Sequence, residues 1–117
     1  MSRQDFEQVI SPFFWVEHED SVSVCLSDVG SYKAEVFATR ANEGFEGNGY
    51  DWGSLATVFL QEKYPEWQNV IKFDPEGSMF VAYSSDKNAL STFTVAFKQA
   101  CDDHNLIVDL FSRAELD

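Results

Sequence analysis

The stretch "WGSLATVFLQEKYPEWQNVIKFDPEGSMFVAYSS", residues 52–85, changes its hydrophobic period halfway along. In the first half Leu55, Val58 and Phe59, with Glu62 extending the row, recur at three- and four-residue steps, the spacing that places side chains on one helical face. Pro65 ends the pattern, because proline lacks an N–H and disfavours the α conformation in the residue before it. The spacing predicts a helix of about three turns. The second half reads as strands, with Val70, Ile71 and Phe73 in one and Met79 to Tyr83 in the next. Between them Asp74, Pro75 and Gly77 stand at the first, second and fourth positions expected of a type I turn, so a hairpin follows the helix.

Downstream the helical period resumes. Ser85 or Asp86 serves as the cap, and Leu90, Phe93, Phe97, Ala100 and Cys101, widened by Ala89 and Ala96, form a stripe that needs a sheet to cover. "NLIVDLFSRAEL", residues 105–116, predicts a short last helix with Leu106, Ile107, Leu110 and Phe111 inward.

Upstream, "VISPFFWV", residues 9–16, is an apolar run that Pro12 turns into an edge strand or a bend. "SVSVCLS", residues 21–27, alternates Val22, Val24 and Leu26 with Ser21, Ser23, Cys25 and Ser27, as a half-buried strand does. The acidic "EHED", residues 17–20, joins the two as a hairpin loop. Asp28, Gly30 and Ser31 make the next turn, and "YKAEVFA", residues 32–38, fits a third strand. Three sequential strands on short connections favour an antiparallel meander. The expected fold is α+β: one domain over residues 1–117, an antiparallel sheet of about five strands, and helices packed largely on one face.

Between the expected third strand and the helix lies "GFEGNGYDWG", residues 44–53. Gly44, Gly47 and Gly49 permit positive φ, and Asn48 before Gly49 is a strong turn signal. A phosphate loop is excluded, because neither GxGxxG nor GxxxxGK[ST] can be read and no lysine follows before Lys63. Glu43, Glu46 and Asp51 would repel an anion there. Asp51 is expected to cap a helix that starts near Trp52. The loop is then either a corner that seats Trp52 or a presented binding loop.

Twenty Asp and Glu against eight Lys and Arg give a net charge of −12. Phosphate contacts need clustered cations, and the eight basic residues are scattered singly, so neither nucleic acid nor an anionic membrane is an expected partner. An acidic surface keeps a protein soluble or meets a basic protein. Cys25 and Cys101 form neither a CxxC pair nor a zinc framework and are expected to be buried free thiols. No signal-peptide run and no stretch of transmembrane length is present, which favours the cytoplasm. His18 in "VEHED" and His104 in "DDHN" lack metal-ligand spacing, and GxSxG is absent, so no cofactor, metal or catalytic residue is expected.

Aromatics give the better lead. Trp15, Tyr50, Trp52, Tyr64 and Trp67 exceed what a core of this size ordinarily needs, and Trp and Tyr concentrate at interface hot spots. With the acids around them, the candidate partner-binding residues are Glu17, Glu19, Asp20, Glu43, Glu46, Tyr50, Asp51, Trp52 and Trp67.

Residues 45 to 117 resemble the immunity protein 51 family of bacterial polymorphic-toxin and contact-dependent inhibition systems. The resemblance is carried by "GNGYDW" at 47–52, by Asp74-Pro75-Glu76 with Met79 and Phe80, and by the closing "LFSRAE". It implies a small cytoplasmic protein, encoded beside a toxin, that binds the toxic C-terminal domain and blocks it without catalysis. Many such toxins are nucleases, which are basic because they bind nucleic acid, so the implied partner is a basic protein domain. Other classes stay open: an acidic subunit of another cytoplasmic complex, or less readily a small enzyme. Monomer and homodimer are equally compatible with these residues.

Overall fold

The computed structural model describes residues 2–116; Asp117, which closes the "LFSRAELD" stretch, lies outside the described residues. The chain begins with helix α1 (Arg3–Ile10), then strands β1 (Phe14–Glu17) and β2 (Val22–Leu26), a short helix α2 (Ala34–Ala38) and helix α3 (Gly49–Lys63). Strands β3 (Lys72–Phe73) and β4 (Phe80–Ser84) follow, then helices α4 (Lys87–Asp102) and α5 (His104–Phe111). The sheet has the order β1-β2-β4-β3 and every pairing is antiparallel. The fold is α+β, with four strands among the described residues rather than five.

The missing strand is the segment read from "YKAEVFA". It folds instead as α2, entered through Lys33 in the left-handed region at φ 57°. Val36 and Phe37 are adjacent and both buried, which a strand cannot arrange on one face and a helical turn against α5 can. Ala34 and Ala38, which a strand would place on one face with Val36, are exposed while Val36 is buried. With no third strand in the meander, β4 takes the place beside β2.

Four further expectations shift. Val9 and Ile10 belong to α1 and only Phe14 onward to β1, the chain turning at Ser11–Pro12. β2 is buried at all five positions rather than on one face, because the small Ser23 and Cys25 sit low between longer neighbours on β1 and β4. In the last helix Leu106 is exposed while Ile107, Leu110 and Phe111 are buried. Val70 and Ile71 precede β3, and the hairpin reverses at Gly77-Ser78, between the mutually bonded Glu76 and Met79, two residues later than the "DPEG" reading placed it. The long helix α4 forms where the sequence puts it. Asp86 caps α4 by accepting from the Ala89 N–H, and the Leu90, Phe93, Phe97, Ala100, Cys101 stripe is buried. Glu62 lies on the exposed side of α3, where its carboxylate accepts from Arg113 at 2.6 Å.

The helices cover one face of the sheet. Trp15, Val24, Ala82 and Phe73 share a cross-strand row that points into the core. Trp52 on α3 is the largest fully buried side chain, ringed by Phe13, Tyr32, Phe37 and Phe97 at centroid distances of 5.1 to 6.1 Å.

Cys25 and Cys101 are free and buried, as expected. Burial pushes the Cys101 thiol up to about 12 from its ordinary 9.0, and burial raises the Tyr32 phenol too. Both are held neutral in the fold but ionise at ordinary values once unfolded, so their contribution is complete below the unfolded pKa and is lost as pH rises, for the thiol between 9.0 and about 12. Urea midpoints measured from about pH 8 to about pH 11 should therefore fall, and Cys101→Ala should make the fall shallower. An unchanged slope in that variant would contradict the assignment.

Candidate partner interface

The glycine-rich loop and the β3–β4 hairpin interlock. Asn48, not Asp51, caps α3: its side-chain oxygen accepts from the Asp51 N–H at 2.9 Å, and the helix starts at Gly49, three residues earlier than expected. Asp51 sits in the first turn, buried, and turns its carboxylate back on the loop, accepting from the Glu46 N–H at 2.7 Å and the Gly47 N–H at 2.8 Å. A carboxylate at a helix N-terminus is also favoured by the dipole. Gly47, at φ +80°, passes its carbonyl to the Gly30 N–H at 2.8 Å. Gly49 donates to Gly77 O at 3.2 Å, and a side chain there would meet the Glu76 and Met79 carbonyls. Gly53 packs more loosely on the Pro75 ring, where a Cβ would lie 3.2 Å from Pro75 Cγ. The inner side of the loop is thus a corner that seats Trp52.

Its outer side is displayed. Tyr50 is 44% exposed and Leu116 50% exposed, and both line a shallow hollow with Gly44, Glu46 and Asn48. A second hollow continues from Glu46 and Asn48 across Gly77 and Ser78 to Ser27 and Gly30. Glu46, Glu76 and Asp28 are exposed here, and none pairs with a cation among the described residues. The nearby guanidinium is already used. Arg40 donates to Phe111 O at 2.6 Å and Ala114 O at 2.7 Å, pairs with Glu43 at 2.8 Å, and lies 4.5 Å from the Phe45 ring centre. That pairing holds the Glu43 carboxyl below its ordinary range and pins the C-terminal stretch beside the loop. What remains is an acidic rim around two exposed apolar side chains.

The nine candidate residues do not form one site. Glu43, Glu46 and Tyr50 meet at this end of the sheet, with Asp51 and Trp52 buried beneath them, Asp51 on the floor of the hollow and Trp52 without surface to offer. The register sets Val22 against Ser84 and Leu26 against Phe80, so the Glu17–Asp20 hairpin lies at the opposite end, one strand length or about 16 Å away. There Lys87 bonds Glu17 at 2.7 Å and, with a weaker bond from Trp15 Nε1, holds its carboxyl below the ordinary range. Glu19 and Asp20 are exposed at the hairpin tip. Trp67 is half-buried and stacked on Tyr64, 4.7 Å between centroids. Tyr64, Trp15 and Glu17 line a groove of about 670 Å³ between α1 and α4, with Phe6 and Val95 as its apolar floor.

Sequence reasoning missed Leu116 and Glu76 as members of the rim, and Arg40 as the clamp behind it. A lone arginine flanked by uncharged residues in "ATRANEG" carries no signal of its own; only the return of the C-terminus to its side gives it carbonyls to bind. His104 opens α5 just past the end of α4, and no group of three His, Cys, Asp or Glu among the described residues is placed to hold a metal ion. No helix of the described residues is long and apolar enough to cross a membrane.

A family model described as immunity protein 51 matches residues 13–116, which leaves α1 outside the match. No curated protein and no solved structure matches the chain.

Proposed function

The chain belongs to the immunity protein 51 family, and from that membership we propose that it neutralises its cognate bacterial toxin by occluding a basic, nuclease-type surface of the toxic domain, in the cytoplasm, with the rim around Tyr50 as the contact. Family membership marks it as an immunity protein and therefore as the partner of a toxin. The observation that carries the finer reading is the acidic rim itself: Glu46, Glu76 and Asp28 exposed around Tyr50 and Leu116, with Arg40 consumed internally. Like-signed surface charge accelerates encounter with an oppositely charged body, and a central aromatic then holds the complex. Occlusion of this kind needs no catalytic residue and no cofactor. A standard interface of about 800 Å² per partner would take in the loop, the hairpin tip and the C-terminal stretch.

The test is growth of a bacterium expressing the toxin domain encoded beside this gene. Co-expression of the chain should restore growth. Tyr50→Ala should weaken binding about 10- to 100-fold, while Glu46→Lys should act mainly on the association rate and on its steep decline with salt. Toxicity that the chain leaves untouched would return it to an acidic subunit of another complex, and a salt-independent association rate would remove the electrostatic half of the proposal.

A further inference from the structure

The helices leave the second face of the sheet open. Antiparallel partners share a face, so the register puts Phe14, Cys25 and Val81 in one cross-strand row and Val16, Ser23 and Tyr83 in the next. Phe14 and Tyr83 are each 40% exposed. None of these six side chains is an acid, in a chain whose Asp and Glu number 20. Charge enters only at the margins. His18 reaches in from the hairpin to lie 3.0 Å from Ser23 Oγ. β3 contributes Lys72, opposite Tyr83, and just past its end Asp74 donates its N–H to Val81 O.

We propose that this face is a self-association surface, occupied by a second copy of the chain packed sheet against sheet about a two-fold axis. The argument is one of charge. Two bodies of net charge −12 repel across most of their surfaces, and the cost of approach is least where no carboxylate stands. A basic partner gains nothing from an uncharged face and has the acidic end instead. A two-fold contact is self-complementary, so Lys72 of each copy can meet Asp74 of the other, one charge of each sign at the same margin.

Size sets the strength. Four strands about 4.8 Å apart, at about 3.3 Å per residue, give a face of roughly 300 Å², well below the about 800 Å² per partner of a standard stable interface. The dimer is therefore weak, with a dissociation constant between about 1 µM and about 1 mM. Salt screens the repulsion without touching the apolar contact, so dimerisation strengthens as ionic strength rises, the opposite sign to the toxin encounter.

Sedimentation equilibrium of the purified wild-type chain, with no toxin present, tests this apart from the proposed function. The mass should climb from monomer toward dimer with concentration, and further between about 0.05 and about 0.5 M salt. Phe14→Ser with Tyr83→Ser, chosen to match the small serine already present at position 23, should remain monomeric, keep its circular dichroism and still rescue growth. A wild-type chain that stays monomeric to about 1 mM at high salt overturns the proposal, and this reading needs no variant to fold. So does association that weakens with salt, or a folded double variant that associates as the wild type does. Loss of neutralisation by a folded double variant would assign the face to the toxin and overturn it equally.

Discussion

Replacing Gly49 by alanine should destabilise the chain by about 3–5 kcal/mol, although alanine is the better helix former by about 1 kcal/mol. Gly49 opens α3 without a left-handed φ, so conformation does not require glycine there. Space does. A Cβ at this position would stand 1.7 Å from the Glu76 carbonyl oxygen and 2.3 Å from that of Met79, and both obstacles are hairpin backbone rather than flexible side-chain ends. The hairpin would have to retreat by more than an ångström, giving up the Gly49 N–H to Gly77 O bond and the packing of Gly53 on Pro75. Thermal unfolding should fall by about 10–20 °C. Gly77→Ala is the control in the facing hairpin turn, where the added methyl meets only Tyr50 at an ordinary 3.8 Å, and it should cost less than about 1 kcal/mol. Equal stability of the two variants would mean that loop and hairpin do not interlock as described.

Trp52→Ala should cost about 3–5 kcal/mol, by emptying the centre of the aromatic core. The indole is 0% exposed, stacks on Tyr32 at 5.6 Å and 7°, and meets Phe13, Phe37 and Phe97 edge-on or tilted. Against a typical total of about 5–15 kcal/mol, that loss threatens the folded state itself. Trp52→Phe should cost much less, about 1–2 kcal/mol, because Trp52 Nε1 has no hydrogen-bond partner among the described residues and the phenyl ring forfeits only volume. Two residues earlier the outcome reverses: Tyr50→Ala, at an exposed position, should leave urea unfolding within about 0.5 kcal/mol of wild type and act on partner binding alone. A Tyr50→Ala variant as unstable as Trp52→Ala would show that the tyrosine is part of the core and remove it from the interface.

That contrast shows what could be read of the candidate site in advance. The loop was recognisable as specified turn chemistry; its inner side is the corner that seats Trp52, and its outer side is the exposed surface for which partner binding is proposed. Which residues fell on which side was not legible. Asp51 and Glu46 are the same chemistry in sequence, yet one is buried accepting two backbone N–H groups and the other is exposed at the rim, where it accepts only from the Asn48 side chain. The grouping of acids also misled: Glu17, Glu19 and Asp20 are consecutive enough to look like one patch with Glu43 and Glu46, but a strand length separates them.

Where the periodicity was long it determined the structure by itself. The apolar stripes of α3 and α4 are ones that only a helix aligns, alternation marked β2, and the apolar run from Met79 to Tyr83 after a turn signal marked β4; the resemblance in "GNGYDW", Asp74-Pro75-Glu76 and "LFSRAE" likewise pointed to the family that the match over residues 13–116 establishes. Tertiary structure decided the rest. "YKAEVFA" offers seven residues whose pattern fits a strand and whose three-fold use of alanine and lysine fits a helix equally well, and it became α2 because Val36 and Phe37 gain a core only side by side against α5. The sheet order β1-β2-β4-β3, the arrival of the C-terminus at Arg40, and the hairpin backbone pressed on Gly49 all depend on contacts between residues tens of positions apart. Local pattern records which face of an element is apolar; it holds no information on which distant backbone will come to cover that face.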